Sequence, residues 1–224
     1  MNKEFLSYDT VRNNALKLAA HIYNDGFLPN VIYVSLRGGA YLGNVISEYF
    51  KLVRKGRRPV YYAAVVARSY TDVAQSERVT IDGWTYSPKY LRRGDKVLLV
   101  DDIFDSGRTL NYLANVIMEK GIPRGDLKIA VHDYKYFYDL EPQHPVQPDY
   151  WCRKHELSVN DVTYWVHYLS HELAGLSEAE LEKHYYSKDP SLRPVLDSLM
   201  TREKRGRQEI QERQERQEKN DLRD

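Results

Sequence analysis

Three aspartates, Asp101, Asp102 and Asp105, are followed directly by Ser106-Gly107-Arg108-Thr109. Carboxylates so spaced can hold a divalent cation, bind sugar hydroxyls or move a proton. Short polar side chains and backbone N–H groups at the start of a helix suit an anion. The first-turn donors lack intrahelical partners there, and the dipole favours negative charge. Acids beside an anion cradle repel a phosphate unless a divalent cation or a cationic sugar centre lies between them. The stretch therefore predicts a phosphorylated sugar or nucleotide together with Mg²⁺.

Such a constellation needs a strand before it and a helix after it. Val97-Leu98-Leu99-Val100 is an apolar run of the kind covered on both faces of a parallel sheet. The acids fall at its C-terminal end, where open α/β sheets place their ligands. Leu110, Leu113, Ala114, Ile117 and Met118 then repeat at helical spacing, and Gly121 stops that helix. A second such unit precedes it: a strand over 31–35, Leu36-Arg37-Gly38-Gly39, and a helix over 40–50. Paired glycines let the backbone approach a ligand closely, and the Arg37 guanidinium suits phosphate oxygens. Asp9 is placed to cap a first helix carrying Val11, Ala15, Leu18, Ala19 and Ile22, ended by Gly26. Strands are also expected over 60–66, 127–131 and 164–169. Ser177-Glu178-Ala179-Glu180 reads as a capping box opening a helix to about Tyr186.

The 224 residues suit one α/β domain with additions. Lys+Arg 33 against Asp+Glu 32 leaves a net charge of +1, which argues against bulk attraction to nucleic acid. A single cysteine, Cys152, excludes an intrachain disulfide and a cysteine-rich metal site. No apolar run is long enough to span a membrane, and the polar start Met1-Asn2-Lys3-Glu4 does not resemble a signal peptide. A cytoplasmic location is expected. The histidines, His167 and His171 included, form no metal-ligand motif.

The hydrophobic strand, Asp101-Asp102, two residues, then Asp105-Ser106-Gly107-x-Thr109, resembles the phosphoribosyl diphosphate (PRPP) loop of type I phosphoribosyltransferases. The resemblance covers about residues 8–175 and favours the 6-oxopurine group. It implies an α/β fold with a mainly parallel central sheet flanked by helices, a small hood and a charged C-terminal extension. By that resemblance Ser106, Gly107, Arg108 and Thr109 hold the 5′-phosphate. Asp101 and Asp102 handle the ribose and its Mg²⁺, and Asp105 is the general base for the purine. Arg37, Gly38 and Gly39 resemble the pyrophosphate loop. Ser69 and Tyr70 match the pair that opens a mobile hood, with Arg78 as a hood cation; a solvated hairpin is the alternative for this stretch.

Lys135 matches the lysine that donates to O6 of the base. Trp165-Val166 resembles the pair that stacks on and hydrogen-bonds the purine, although Trp165 also suits a core position. Glu172 stands where some members carry an aspartate near the metal. The segments 136–147 and 156–161 look expanded relative to the family. The resemblance thus implies transfer of a phosphoribosyl group from PRPP to hypoxanthine, guanine or xanthine, in a homodimer or homotetramer. The alternatives are a PRPP- or nucleotide-binding regulatory protein of the same fold, and a transferase for another base. We assign residues 1–187 to this domain, with hood and base-binding elements over about 132–175. Residues 188–224 form a charged extension, helical or disordered, in which Glu209–Arg213, Glu212–Arg216 and Glu215–Lys219 are favourable i, i+4 pairs.

Overall fold

Val31–Leu36 and Val97–Phe104 are two runs rich in apolar and β-branched residues, and they become neighbouring central strands. A computed structural model describes residues 2–55, 58–71, 77–161, 164–173 and 175–202 of the chain, without the side chains of 2, 68–71, 77, 78 and 161. It divides into two compact units, Met1–Glu172 and Leu173–Asp224.

The first unit runs β1 (Asn2–Leu6), α1 (Tyr8–Asn24), β2 (Val31–Leu36), α2 (Gly39–Val53), β3 (Tyr61–Thr71), β4 (Glu77–Trp84), β5 (Val97–Phe104), α3 (Arg108–Met118), β6 (Leu127–Phe137), β7 (Tyr150–Leu157) and β8 (Tyr164–Tyr168). Six strands form one sheet in the order β4-β3-β2-β5-β6-β7. All its pairings are parallel except β3 with β4. This is the α/β architecture with a mainly parallel, helix-flanked sheet that the sequence implied. From β2 the chain passes through α2 outward to β3. From β5 it passes through α3 to β6, in the opposite direction. The gap between the ends of β2 and β5 is therefore the switch point of the sheet, where such folds bind ligands.

Alternation along β5 divides the core. Val97 and Leu99 face the α3 layer with Leu113 and Ile117, while Leu98 and Val100 face α1 and α2 with Leu18 and Ile46. Each such fully buried aliphatic side chain contributes about 1.5–3 kcal/mol. All five residues expected on the buried face of α1 are buried.

Several expectations change. The cap of α1 is Ser7, whose side chain accepts from the Thr10 N–H at 3.2 Å, so the helix begins before Asp9. The strand expected over 60–66 continues to Thr71 and pairs with β4 as a hairpin, with Tyr70 opposite Arg78. The strand expected to end at Val131 continues to Phe137, so Lys135 lies within it. The N-terminal residues form β1, which pairs in parallel with β8 in a separate two-stranded sheet.

In the second unit Ser177 makes the expected capping box with Glu180. The helix α4 (Glu178–Leu181) passes into a π-helical turn, Glu182–Tyr186. Residues 193–202 form α5. Leu181, Tyr186 and Leu196 pack together there. The charged pairs expected from Glu209 onward lie outside the described residues. Among the described residues no helix is long and apolar enough to cross a membrane.

Candidate functional site

The two strand-end loops meet because glycine leaves room for them. A Cβ on Gly38 would lie 2.3 Å from an Asp102 carboxylate oxygen. One on Gly39 would lie 2.5 Å from the Val100 carbonyl oxygen and 2.9 Å from the Asp101 Cα. Real Cβ atoms do not approach so closely; at Gly39 the obstacle is backbone, so the turn after β2 needs glycine there to lie against the end of β5, while at Gly38 a side chain would displace the Asp102 carboxylate. This sets the backbone next to Arg37 against the acid pair, and the Arg37 side chain is exposed. The Leu36–Arg37 peptide bond is cis.

The turn after β5 is shaped the same way. Gly107 has φ +77°, and a Cβ there would lie 2.2 Å from the Phe104 ring. Gly107 is the N-cap of α3 and supplies no side-chain acceptor; the Arg108 N–H donates to Ser106 Oγ at 3.5 Å, and residues 108–110 of the first turn line the cavity beside it. That cavity, about 210 Å³, is lined by residues 101–103 and 105–110. The expected phosphate residues Ser106, Gly107, Arg108 and Thr109 are thus brought together with Asp101 and Asp102.

The two acids differ. Burial, and then the charge of Asp102, push the Asp101 carboxyl well above the usual range, against a hydrogen bond from Ser35. One oxygen of Asp102 accepts from the Ile103 N–H at 2.8 Å, and the other lies 3.2 Å from His171 Nε2. Two carboxyl groups crowded at a strand end, whose mutual repulsion a cation would relieve, are oxygen donors of the kind a Mg²⁺ ion takes. That ion takes one or two protein carboxylates and completes its shell with phosphate oxygens and water. Among the described residues no three His, Cys, Asp or Glu side chains form a metal-holding group. Glu172, the expected third member, accepts from the Tyr168 N–H at 2.9 Å and lies 3.4 Å from His167 Nδ1. Its carboxylate closes the turn after β8.

Asp105 and Lys135 form one ion pair. Lys135 Nζ donates to Asp105 Oδ2 at 3.2 Å, with the lysine side chain 8% exposed and the aspartate 54%. The pair therefore straddles the boundary between the sheet end and solvent, and presents an acceptor and a donor side by side.

Behind this site lies a polar cluster that the sequence reading missed. Asp133, wholly buried on β6, accepts from Arg153 Nε at 2.7 Å and pairs with His132 Nδ1 and His155 Nε2, each at 2.6 Å. It also accepts from the Tyr168 hydroxyl. Burial alone would raise its pKa, but hydrogen bonds from His132, His155 and Tyr168 and the adjacent charges hold it well below the usual range. Arg153 reaches on to Glu4 on β1, and Tyr164 on β8 donates to the same carboxylate group. Asn14 on α1 meets His132 Nε2 at 3.1 Å. The cluster thus ties the large sheet to the small one. Its link to the acids is Tyr168, whose hydroxyl also reaches the Asp102 carbonyl at 3.0 Å and whose ring stacks on His171. The available signal was a His-Asp pair directly after the apolar run Ile129-Ala130-Val131 of that strand.

Another residue passed over, Asn111, is buried in α3. Its amide nitrogen donates to the Gly107 and Val146 carbonyls at 3.0 and 2.7 Å, and its oxygen accepts from the Val146 N–H at 2.9 Å. Trp165 is 44% exposed on β8, opposite Lys3, so it is not a core aromatic. Val166 is buried against Leu6, Val11 and Tyr168. The side chains of Ser69, Tyr70 and Arg78 lie outside the described residues.

Residues 6–148 match the family model described as the phosphoribosyl transferase domain. The bifunctional protein PyrR of Microcystis aeruginosa is 28% identical over 153 residues, which cover 67% of this chain and 82% of that protein. Two solved structures are similar in fold. The purine phosphoribosyltransferase of Pyrococcus horikoshii aligns at TM-score 0.59 and 21% identity, over 80% of this chain and 100% of that one. A hypothetical protein of Neisseria gonorrhoeae with bound ppGpp aligns at TM-score 0.57 and 18% identity, over 77% of this chain and 91% of that one.

Proposed function

The chain belongs to the phosphoribosyltransferase family, and from that premise we propose that it transfers the 5-phosphoribosyl group of PRPP to N9 of hypoxanthine, guanine or xanthine, releasing pyrophosphate. The observation that carries the choice of base is the Lys135–Asp105 pair at the rim of the phosphate cradle. A 6-oxopurine offers an acceptor at O6 and, in its N7–H form, a donor beside it. An ammonium and a carboxylate held side by side complement that edge, whereas adenine would turn a donor toward the lysine.

The 5′-phosphate lies on the Ser106–Thr109 turn, and the ribose hydroxyls lie over Asp101 and Asp102. The Arg37 guanidinium faces the pyrophosphate. As the bond from C1′ to the pyrophosphate oxygen breaks, the bonding pair leaves with oxygen and C1′ gains positive charge. N9 donates its lone pair to C1′, and Asp105 takes the N7 proton that the new nucleotide must lose. A carboxylate beside C1′ also stabilises the cation. Asp101 and Asp102 would hold a Mg²⁺ ion, which when bound would neutralise charge on the phosphates.

A second reading, that of a nucleotide-sensing regulator, is favoured by the similarity to a protein named as bifunctional. Pyrophosphate release from PRPP across hypoxanthine, guanine, xanthine and adenine separates the readings. Turnover with a 6-oxopurine is expected. Binding of PRPP without turnover would favour the sensor, and adenine as best substrate would remove Lys135 from its role.

A further inference from the structure

Asp105 and Ser106 have two sides. One faces the phosphate cradle, and the other faces a second cavity of about 280 Å³. A single water needs roughly 10–15 Å³ of such space, so this cavity has room for a sizeable group. Asp105 and Lys135 are among its lining residues, and Asp101 and Asp102 are not. Its walls are largely apolar: Phe104, Tyr134, Tyr136, Phe137, Leu140 and Val159.

Three anchors build it. The Tyr134 hydroxyl donates to Gln147 Oε1 at 2.9 Å. Asn111 clamps Val146 from α3. Asp139 accepts from the Ser158 hydroxyl at 2.6 Å and the Val159 N–H at 2.9 Å. Most of these walls come from β6 beyond Lys135 and from the chain after it, the segment that the sequence reading marked as expanded. A bare 6-oxopurine ends at the Lys135–Asp105 pair and leaves this space to water. Apolar walls beside a donor-acceptor pair are what an acceptor with a polar ring edge and an apolar extension would fill.

We propose that, beside the 6-oxopurines above, the site takes as acceptor a purine whose exocyclic 6-oxygen carries an apolar arm: the oxygen accepts from Lys135 and the arm lies in this cavity. This rests on the transferase reading above.

The test compares kcat/KM for 6-benzyloxypurine, 6-methoxypurine and hypoxanthine by pyrophosphate release, with PRPP saturating. The benzyloxy compound is expected to exceed the methoxy compound at least about tenfold, the scale on which an apolar pocket discriminates. Leu140→Trp, which fills the cavity, is expected to lower the ratio of benzyloxy to methoxy turnover toward one. If hypoxanthine is used but the benzyloxy compound is no better than the methoxy one, the inference fails and the transferase reading stands. An unchanged ratio in Leu140→Trp also overturns it. If no base releases pyrophosphate, the transferase reading fails and this inference falls with it.

Discussion

Asp102 stands between two differently built regions. On the β2 side the site is made by omission: Gly38 and Gly39 let one backbone lie against another. On the β6–β8 side it is made by filling: Asp133 gathers His132, Arg153, His155 and Tyr168, and Tyr168 steadies the Asp102 carbonyl. The first region is built from two contiguous strand-turn units and set by sterics. The second joins residues from Glu4 to Tyr168 and is set by charge balance. Damage to the first should show mainly in ligand binding, and damage to the second mainly in stability.

Asp105→Asn tests the chemistry that both regions serve. Turnover should fall about 10²–10⁴-fold, the usual worth of a positioned base. PRPP affinity, measured by calorimetry, should change far less. Near-normal turnover would remove Asp105 from the proton transfer.

Asp133→Asn attacks the filled region. It takes the buried partner from Arg153, which keeps Glu4, so the cost should lie at or below the about 3–5 kcal/mol of a buried charge left unpaired. Denaturant unfolding would measure this. The depressed pKa of Asp133 has a further consequence. Its contribution to stability is full above the ordinary aspartate value of 3.8 and is lost as the pH falls below it. Acid unfolding of the variant should therefore be shallower than that of the unmodified chain in this window.

Gly39→Ala attacks the open region. The new methyl would meet backbone, which cannot rotate away, at a cost of about 1–3 kcal/mol. PRPP binding should weaken more than this loss of stability suggests. Gly83→Ala has nothing within 4 Å of its added methyl and serves as the contrast, with stability unchanged within about 0.5 kcal/mol. If Gly39→Ala bound PRPP normally, the division between the regions would be wrong.

Tyr168→Phe cuts the link between them. Losing one hydroxyl costs about 1 kcal/mol. Because that hydroxyl reaches both Asp133 and the Asp102 carbonyl, KM for PRPP should rise several-fold while kcat changes little.

The same contrast explains what could be read from the sequence. Residues 97–110 and 31–39 are contiguous strand-turn-helix units, so their order alone announces a strand-end anion site, and the structure brings Arg37, Asp101, Asp102 and Ser106 to one switch point. The polar cluster had no such local signature. His132-Asp133 looked like the exit from a strand because a buried acid is unfavourable without its partners, and those partners arrive from β7 and β8. β1 pairs with β8 across more than 150 residues, a relation no local pattern reveals. Ser7 was passed over as a cap because Asp9 is an equally suitable residue type two positions on.

Asn111 has a consequence for anyone exchanging parts between relatives of this chain. Its one amide joins the turn at Gly107 to the loop at Val146 through three hydrogen bonds. A shorter loop grafted after Lys135 would leave two of those bonds unmade inside the protein, about 1–3 kcal/mol for each unsatisfied group. The strain would be felt at the Gly107 turn, where the proposed reading puts the phosphate. Such a graft should travel with residue 111, or its failure will be mistaken for a fault in the base pocket.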